Sequence, residues 1–340
     1  MKDLYILDAG CISSVGDTLD SCWDGLGSEV ELEKNYDFEV NMPPKLKRSS
    51  DRFSKMYMSV MEKLVNDNKE TLDSYPAERI GTIFSSEYGP VTTNLLFARE
   101  VLEKDPEICS PAKFSNTVAN ACVGIACINH GYKGVSTMLQ GSNSLSFSED
   151  LINEGKADLI FSAFADEYSE EVVRALHEAG EEKRDYAENC SIFLVGDEKF
   201  KEKSICSIKK MVNMNLGSNT KENEATNERR IRKCIERCLS DGKPVDAVLH
   251  TSTDDRIGRL ESRIMKDMFE EIPVSGKASK LVGDIMGSSI NMNLVLGTMC
   301  LKKKELNEKL FDGVKASCKR ILVTGYDILG NYSCVLLEAE

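Results

Sequence analysis

A sharp turn between a predicted strand and a predicted helix is the feature of this sequence best suited to chemistry. The turn spans residues 140–144 (Gln-Gly-Ser-Asn-Ser) and lies between a strand at Val135 to Leu139 and a helix that runs to about Asn153. α/β enzymes mount a nucleophile on such a turn, because it directs one side chain out of the sheet. We therefore take this turn, called the elbow below, as the point around which a functional site is organised.

The elements that must position the elbow are predicted from apolar runs and small residues. A helix from Ala112 to Asn129 carries small residues on several sides, among them Ala119 and Gly124. We expect other backbone to pack closely around this helix and to bury it. Gly155 ends the helix after the elbow, and Ala157 to Ala165 is predicted to be a buried strand.

The two halves of the chain contain similar series of predicted elements. The first half has two strands and three helices outside the elbow region: Leu4 to Ala9, the helix Leu19 to Leu26, an amphipathic helix begun by Asp51, Ile80 to Ser85, and Thr92 to Glu103. A short polar segment, Arg174 to Asn189, follows. The second half has a strand, a helix, a long helix rich in small residues and two closing strands: Val245 to Thr251, Gly258 to Phe269, the helix introduced by Val274 to Lys277, Arg320 to Thr324, and Ser333 to Glu338. This repetition predicts a duplicated α/β fold.

Composition excludes several classes of function. The chain has 340 residues and a formal charge of −13, which argues against nucleic acid and anionic membranes as partners. No apolar run is long enough to span a bilayer, and we find no signal peptide. Twelve cysteines are scattered without a pair of CxxC motifs, so we expect free thiols, no metal site and no cofactor. These features together predict a cytoplasmic protein.

The order of motifs resembles the β-ketoacyl-ACP synthases (ACP, acyl carrier protein) of the thiolase superfamily. The chain opens with a Gly-x-x-Ser-x-x-Gly pattern at residues 10–16 and a helix that carries Trp23, and Asp51-Arg52-Phe53 begins a later helix. The turn Gly134-Val135-Ser136 then leads to the elbow. The resemblance implies a thiolase-like five-layered α-β-α-β-α fold built from two pseudo-twofold halves. We predict these halves as residues 1–189, with the elbow at Asn143, and 190–340, joined in one compact unit.

The catalytic residues of that family are degenerate at the matching positions. Asn143 stands where the family has its acyl-accepting cysteine, and an amide is not a nucleophile that can carry a thioester. Leu249 and His250 stand on the His-Gly pair of a His-Gly-Thr-x-Thr motif, although a one-residue gap would return His250 to the catalytic position. Asp284 replaces the second histidine. The family lysine corresponds to Lys280 or Lys277, and the closing motif ends at Asn331.

These replacements remove groups on which condensation depends. In the family the two histidines stabilise the thioester oxyanion and assist decarboxylation of malonyl-ACP. A leucine cannot donate a hydrogen bond, and an ionised aspartate would repel both malonate and enolate. Each such loss typically costs on the order of a hundredfold in rate or more.

The best-fitting subclass of the resemblance is the chain-length factor, a ketosynthase-like subunit without condensing activity. It implies a heterodimer with an active β-ketoacyl-ACP synthase, or a homodimer, and contact with acyl carrier protein through the complex. It also implies a role in type II polyketide, polyene or fatty-acid-like biosynthesis. Val135 to Leu139 would be an interface strand. Residues that would line the acyl tunnel or the interface are Phe114, Thr117, Val118, Ala121 and Met138.

Two other interpretations remain open from the sequence. Asn120-Ala121-Cys122-Val123-Gly124 resembles the Ala-Ala-Cys-x-Gly of the ketosynthase branch that primes with acyl-CoA, so Cys122 could be the nucleophile of an active acyltransferase. A thiolase-fold binding protein without an acyl-chain role is the other alternative. Reactivity towards an acyl thioester separates the first from the rest.

Overall fold

The computed structural model describes most of the chain: residues 3–27, 32–40, 42–104, 108–179, 184–217, 223–251, 255–269, 271, 273–285 and 290–340. Within them, ten strands form one large sheet and two short strands form a separate pair. In chain order the strands are β1 (Leu4–Ile12), β2 (Ile80–Ser86), β3 (Ser136–Gln140), β4 (Leu159–Asp166), β5 (Tyr186–Ala187), β6 (Asn189–Gly196), β7 (Cys206–Asn215), β8 (Ala247–Leu249), β9 (Val274–Gly276), β10 (Asp284–Ile285), β11 (Arg320–Tyr326) and β12 (Asn331–Ala339).

Helices cover both faces of the large sheet. They are α1 (Leu19–Gly25), α2 (Pro44–Ser49), α3 (Arg52–Asp67), α4 (Lys69–Asp73), α5 (Val91–Glu103), α6 (Pro111–Ser115), α7 (Ala121–His130), α8 (Ser144–Asn153), α9 (Glu170–Glu178), α10 (Glu224–Cys238), α11 (Asp255–Met268), α12 (Ser279–Val282) and α13 (Ile290–Lys303). Two short 3-10 helices lie at Ala77–Arg79 and Glu198–Lys203. Asp51 caps α3 by accepting a hydrogen bond from the Ser54 backbone N–H, as the predicted start of this helix requires.

The large sheet consists of two equivalent sets of five strands. Its order is β3-β2-β4-β6-β1-β7-β12-β11-β8-β9, so each set has the same arrangement counted outward from the centre. At the centre β1 and β7 pair antiparallel, with Tyr5 opposite Ser207. This confirms the predicted α/β fold of two pseudo-twofold halves. The boundary at residues 189 and 190 stays a prediction; in the sheet, β6 pairs with β1 and β4 of the first set.

Three buried clusters separate the helices and sheets into five layers. The central cluster joins α1, α8 and α13 to the facing sides of both strand sets. The second packs α3 and α7 on the outer side of the first set, and the third packs α10 and α11 on the outer side of the second. α13 is buried from Ile290 to Leu301, as a helix at the centre must be. It lies so close to β11 that a Cβ on Gly325 would overlap Ile290.

The prediction of one buried helix from Ala112 to Asn129 is wrong. The segment forms α6 and α7, separated by residues 116–120. The Asn116 side chain donates to the Ala112 carbonyl and the Thr117 hydroxyl donates to the Phe114 carbonyl, and such bonds compete with a continuous helix. Only one face of α7 packs on α3. On its other side Ile128 is 86% exposed, and ahead of α7 Phe114 is 63% exposed and Val118 54%.

Two further elements differ from the sequence prediction. The long helix expected after Lys277 is interrupted, because β9, α12 and β10 come first and α13 begins at Ile290. Gly283, with a φ of +79°, ends α12. Since α13 follows the edge strand β9 as α8 follows β3, it mirrors α8 rather than the Ala112 to Asn129 segment. The segment 174–189, expected to be short and polar, begins within α9, which Ser169 caps.

Candidate functional site

The elbow forms where the sequence predicts it, between β3 and α8. Gly141 has a φ of +105°, a backbone conformation that glycine adopts without strain, and its N–H donates to the Ser86 carbonyl over 3.0 Å. Asn143 is the N-cap residue of α8, but its side chain makes no cap hydrogen bond. It is partly exposed. Asn143 therefore stands where the strand-to-helix turn enters α8, with a partly exposed side chain.

Three parallel strands end at the same edge of the sheet and surround the elbow. These are β3, β2 and β4, and the last residue of β4 is Asp166. This fully buried carboxylate accepts hydrogen bonds from the Ser86 hydroxyl at 2.6 Å and from the backbone N–H groups of Glu87 and Tyr88 at 3.0 Å. Burial raises the pKa of Asp166 to about 7, although these hydrogen bonds favour the charged form. Asp166 therefore holds the loop after β2 against the end of β4.

A loop of the second half closes over the elbow. The Ser142 hydroxyl donates to the Asp327 carboxylate over 2.8 Å, and the Asn331 backbone and side chain donate to the same carboxylate at 2.8 and 3.0 Å. Asp327 is fully buried. Asn331, a predicted site residue, is therefore brought to the elbow through Asp327. Neither Asp327 nor Ser142 was predicted as a site residue from the sequence, although an aspartate just before the closing Gly330-Asn331 pair could have indicated a role for Asp327.

Glu87 is a buried acid that sequence analysis also missed. It follows β2, is only 6% exposed, and neither carboxylate oxygen has a hydrogen-bond partner among the described residues. Burial, and then the nearby carboxylates of Asp327 and Asp166, raise the pKa of Glu87 to about 9. At neutral pH the group is thus a neutral acid. Its position at the end of an apolar strand does not predict this buried environment.

Leu249 and His250 point to opposite sides of β8. Leu249 belongs to the central cluster and lies beside Gly297 of α13. The His250 imidazole faces outward to α11, where its Nδ1 is 3.1 Å from Oε2 of Glu261. Adjacent residues at the end of a strand diverge in this way. Ser252 and Thr253, which complete the matched motif, lie outside the described residues, so a catalytic role for Leu249 or His250 stays untested.

Asp284 is held in an ion pair. Its carboxylate, 5% exposed in β10, accepts a hydrogen bond from Nη1 of Arg184 at 2.9 Å. Arg184 lies in the segment that the sequence analysis described only as polar, and nothing in that pattern identified it. Lys280 lies in α12, where only its backbone is described, and Lys277 is partly buried just after β9. The residues matched to the rest of this motif, 286–288, lie outside the described part of the chain.

Cys122 lies in an environment unsuited to a nucleophile. It is fully buried in α7, and its thiol donates to the Ala119 carbonyl over 3.2 Å. Burial, and then the carboxylate of Asp51, raise the pKa of Cys122 above its ordinary range, which keeps the thiol protonated. All twelve cysteines are free, and ten of them are buried. The two partly exposed ones are Cys109 and Cys127.

The residues predicted for the tunnel or the interface are all at least partly exposed, and one of them lines a cavity. Phe114 and Val118 are exposed, and Thr117, Ala121 and Met138 are partly exposed. A cavity of about 420 Å³ lies between α7 and β3, lined by Ala119, Asn120, Val123, Gly124, Ser136, Thr137 and Met138. β3 is the edge strand of the large sheet. These residues are therefore not part of the buried core of this chain.

No group of three or more His, Cys, Asp or Glu side chains among the described residues lies close enough together to hold a metal ion. In the same part of the chain, no helix has the length and apolar character needed to cross a membrane.

Replacing Glu87 with glutamine should change how stability depends on pH. Glu87 has a pKa of about 9 in the folded protein against an ordinary 4.5, so between these values the folded state holds more protons and stability falls as pH rises. Glu87→Gln removes this penalty. Its free energy of unfolding should be close to wild type at pH 5 and exceed it increasingly up to pH 9, by at most about 1.4 kcal/mol per pH unit. Urea unfolding at each pH measures the difference.

The matched control is Glu103→Gln, at an exposed carboxylate of α5. Water solvates this charge in both states, so the control should follow the wild-type pH dependence. Parallel curves for wild type and Glu87→Gln from pH 5 to pH 9 would show that Glu87 is already ionised at neutral pH.

Comparisons with known proteins find ketosynthases by both sequence and structure. No protein-family model matches the chain. It is 25% identical over 183 residues to a 3-oxoacyl-(acyl-carrier-protein) synthase 2 of Synechocystis sp., a match that covers 46% of this chain and 43% of that protein. The corresponding protein of Staphylococcus aureus is 22% identical over 185 residues, covering 47% and 45%. The matched stretch is thus less than half the length of these curated relatives.

Solved structures match over the whole chain. The ishigamide ketosynthase/chain length factor has a TM-score of 0.78 at 16% identity, with 99% of both chains covered. A type II polyketide ketosynthase, bound to the hexaketide and in complex with its acyl-carrier protein, has a TM-score of 0.79 at 12% identity, covering 100% and 99%. A ketosynthase in complex with its chain length factor from Xenorhabdus doucetiae has a TM-score of 0.78 at 13% identity, covering 100% and 98%. The chain therefore has the thiolase-like fold of ketosynthases, and its sequence similarity to 3-oxoacyl-ACP synthases supports a ketosynthase-like protein.

Proposed function

We propose that this chain is a non-condensing ketosynthase-like subunit, a chain-length factor, which pairs with an active β-ketoacyl-ACP synthase and shapes its acyl tunnel. The observation that carries the proposal is Asn143 at the elbow. An asparagine amide cannot accept an acyl group as a thiol does, so Asn143 cannot form the acyl-enzyme. Acyl transfer would have to occur on the partner.

The surroundings of the elbow support the same conclusion. Asp166, Asp327 and Glu87 are buried near it, and none of them offers a positive charge to malonate or to an enolate. Asp284 pairs with Arg184, so the arginine charge is already neutralised. Cys122, the alternative nucleophile, is buried and its raised pKa keeps the thiol protonated.

A partner subunit is proposed from the exposed face beside β3. An edge strand with unpaired backbone groups and neighbouring apolar side chains is an association site unless something covers it. Ile128 of α7, the helix in contact with β3, is 86% exposed in the single chain. Two of the similar structures are ketosynthases with their chain length factors, and a third includes an acyl-carrier protein. We therefore propose a ketosynthase as the partner, with acyl carrier protein reached through the complex and a homodimer as the alternative assembly.

The tunnel role is proposed for five residues of this face. Met138 lines the cavity between α7 and β3, and Thr117, Val118 and Ala121 are close in sequence to its lining residues Ala119 and Asn120, whereas Phe114 lies earlier, in α6. In this proposal they border the far end of the partner's acyl tunnel. A residue that faces such a tunnel can be enlarged without disturbing its own core, whereas a buried residue cannot.

The isolated chain should not become acylated. Incubation with an acyl-CoA or acyl-ACP donor, followed by intact-protein mass spectrometry, should give no stoichiometric adduct, because Asn143 is not a nucleophile and Cys122 is buried. Asn143→Cys should permit at most slow acylation or malonyl decarboxylation, and it should not restore condensation, since Asp284 would still stand in place of the second histidine.

Cys122→Ser is the matched control for acylation of the native chain. An adduct that hydroxylamine removes, and that disappears in Cys122→Ser, would establish the chain as an active acyltransferase and overturn the proposal. Cys109 and Cys127 have partly exposed thiols. Weak modification of these thiols should also occur with donors other than acyl thioesters.

Product length should respond to side-chain size at the proposed tunnel. Thr117→Phe or Ala121→Phe, co-expressed with the partner ketosynthase, should shorten the products, because the added ring occupies space that the growing chain needs. Phe114→Ala should lengthen them. The melting temperature of the subunit should remain nearly unchanged, and mass spectrometry of the products gives their length distribution.

Two variants of α7 serve as controls for added bulk. Ala126→Phe places the same ring at a fully buried position, where overpacking should cost about 1–3 kcal/mol of stability. Ile128→Phe places it on the exposed side, outside the proposed tunnel. If the tunnel variants lost stability as Ala126→Phe does, with products of unchanged length, these residues would have a packing role only.

A further inference from the structure

A second cavity lies at the other end of the sheet, beside the edge strand β9. Its volume is about 330 Å³, within the range of small-molecule sites. The wall is formed by the end of β8, β9, α11, α12 and the loop after α13: His250, Ser262, Met265, Lys266, Ser275, Gly276, Lys277, Leu281, Lys309, Leu310 and Asp312. β9 and β3 are opposite edges of the ten-stranded sheet, so this cavity is separate from the face around β3.

The charge of this cavity is opposite to that of the chain. Lys266, Lys277 and Lys309 line it, whereas the chain as a whole has a formal charge of −13. Among the described residues, none of the three lysines forms an ion pair. Asp312 is the one acidic residue that the described wall contains. The three ammonium groups are therefore available to a ligand.

An adjoining cavity extends the positive surface. Its volume is about 290 Å³, and it shares Ser262, Lys266 and Lys277 with the first cavity. It adds Arg259 and Arg263. Arg263 pairs with Glu224 and Glu228 on α10. Within the described part of the chain Arg259 has no such partner, so it adds a further cation to this surface.

A positioned histidine completes the wall of the first cavity. Glu261 is fully buried and accepts a hydrogen bond from the Tyr332 hydroxyl on one oxygen, while its other oxygen lies 3.1 Å from Nδ1 of His250. Burial and then Glu261 raise the pKa of Tyr332 well above its usual range, so the hydroxyl keeps its proton and donates. Glu261 thus accepts from both neighbours. Nδ1 of His250 carries the hydrogen, and Nε2 remains for a ligand.

The backbone of His250 is fixed as well. Its N–H donates to the Gly276 carbonyl over 2.9 Å, and its carbonyl accepts from Nδ2 of Asn293 over 2.9 Å. Asn293 also donates to the Thr324 carbonyl. His250 is therefore held by hydrogen bonds of both its backbone and its side chain. A binding site needs this preorganisation.

We propose that this cavity binds the phosphoryl group of a small phosphorylated ligand. The ammonium groups of Lys266, Lys277 and Lys309 would donate to the phosphoryl oxygens, since charge-assisted hydrogen bonds to phosphate are the strong ones. Nε2 of His250, which carries no hydrogen, would accept a hydrogen bond from a protonated phosphoryl oxygen (P–OH). The apolar side of the wall, Met265, Leu281 and Leu310, fits the organic part of such a ligand. This site does not depend on the elbow, so the proposed function and this inference stand or fall separately.

Binding of inorganic pyrophosphate, measured by isothermal titration calorimetry on the full chain, tests the site. We expect saturable binding of one pyrophosphate per chain. The dissociation constant should rise roughly tenfold or more in Lys277→Met and in His250→Gln, because each removes one charge-assisted or buried hydrogen bond. Lys277 has no ion pair in the described chain, so its loss should leave the melting temperature unchanged.

Lys233→Met, at an exposed lysine of α10 beside α11, is the charge-matched control and should bind pyrophosphate as wild type does. Coenzyme A in place of pyrophosphate tests the organic part of the ligand; tighter binding that Lys277→Met weakens would support the apolar wall. Absence of saturable pyrophosphate binding up to about 10 mM would overturn the proposal. So would an equal loss in Lys233→Met, which would reveal non-specific attraction of anions.

Discussion

The hydrogen bond between Ser142 and Asp327 is the interaction on which the site depends. It joins the elbow of the first half to the closing loop of the second. The Asp327 carboxylate is fully buried and accepts three hydrogen bonds. Breaking such a bond would leave a buried carboxylate partly unsatisfied, which costs about 1–3 kcal/mol. The position of Asn143 is therefore set by both halves of the duplicated fold. A duplicated sheet joined only through β1 and β7 would not fix the elbow in this way.

The contacts that hold the elbow do not involve a nucleophile. Gly141 provides the turn, Asp166 ties the neighbouring strand ends, and Asp327 holds Ser142, none of which requires a nucleophile. Glu87 adds a neutral buried acid near the two carboxylates. A site that stabilises an enolate needs donors or positive charge; these acids provide no positive charge, and the protonated Glu87 is the one donor that its raised pKa implies among them. The contacts that fix the backbone of the elbow are thus different from the groups that would catalyse a reaction there.

The sequence predicted the repeated order of strands and helices because buried strands and amphipathic helices leave periodic patterns. It predicted the elbow because glycine marks a turn with positive φ. The prediction failed at the segment Ala112 to Asn129. There the side chains of Asn116 and Thr117 hydrogen-bond to backbone carbonyls, and such local contacts leave no periodic pattern in the sequence. The prediction also failed to identify Glu87, Asp327 and Arg184. Their roles arise from contacts between distant segments, such as Arg184 with Asp284, which a single sequence does not record.

The central claim is that a second chain covers β3 and the apolar residues beside it. Size-exclusion chromatography with light scattering, on this chain alone and mixed with an active ketosynthase encoded beside it, tests this claim most directly. We predict a dimer at low micromolar concentration, as a heterodimer when the ketosynthase is present, with an interface above about 2,000 Å² as in obligate dimers. A stable monomer at that concentration, with and without the ketosynthase, would contradict the account.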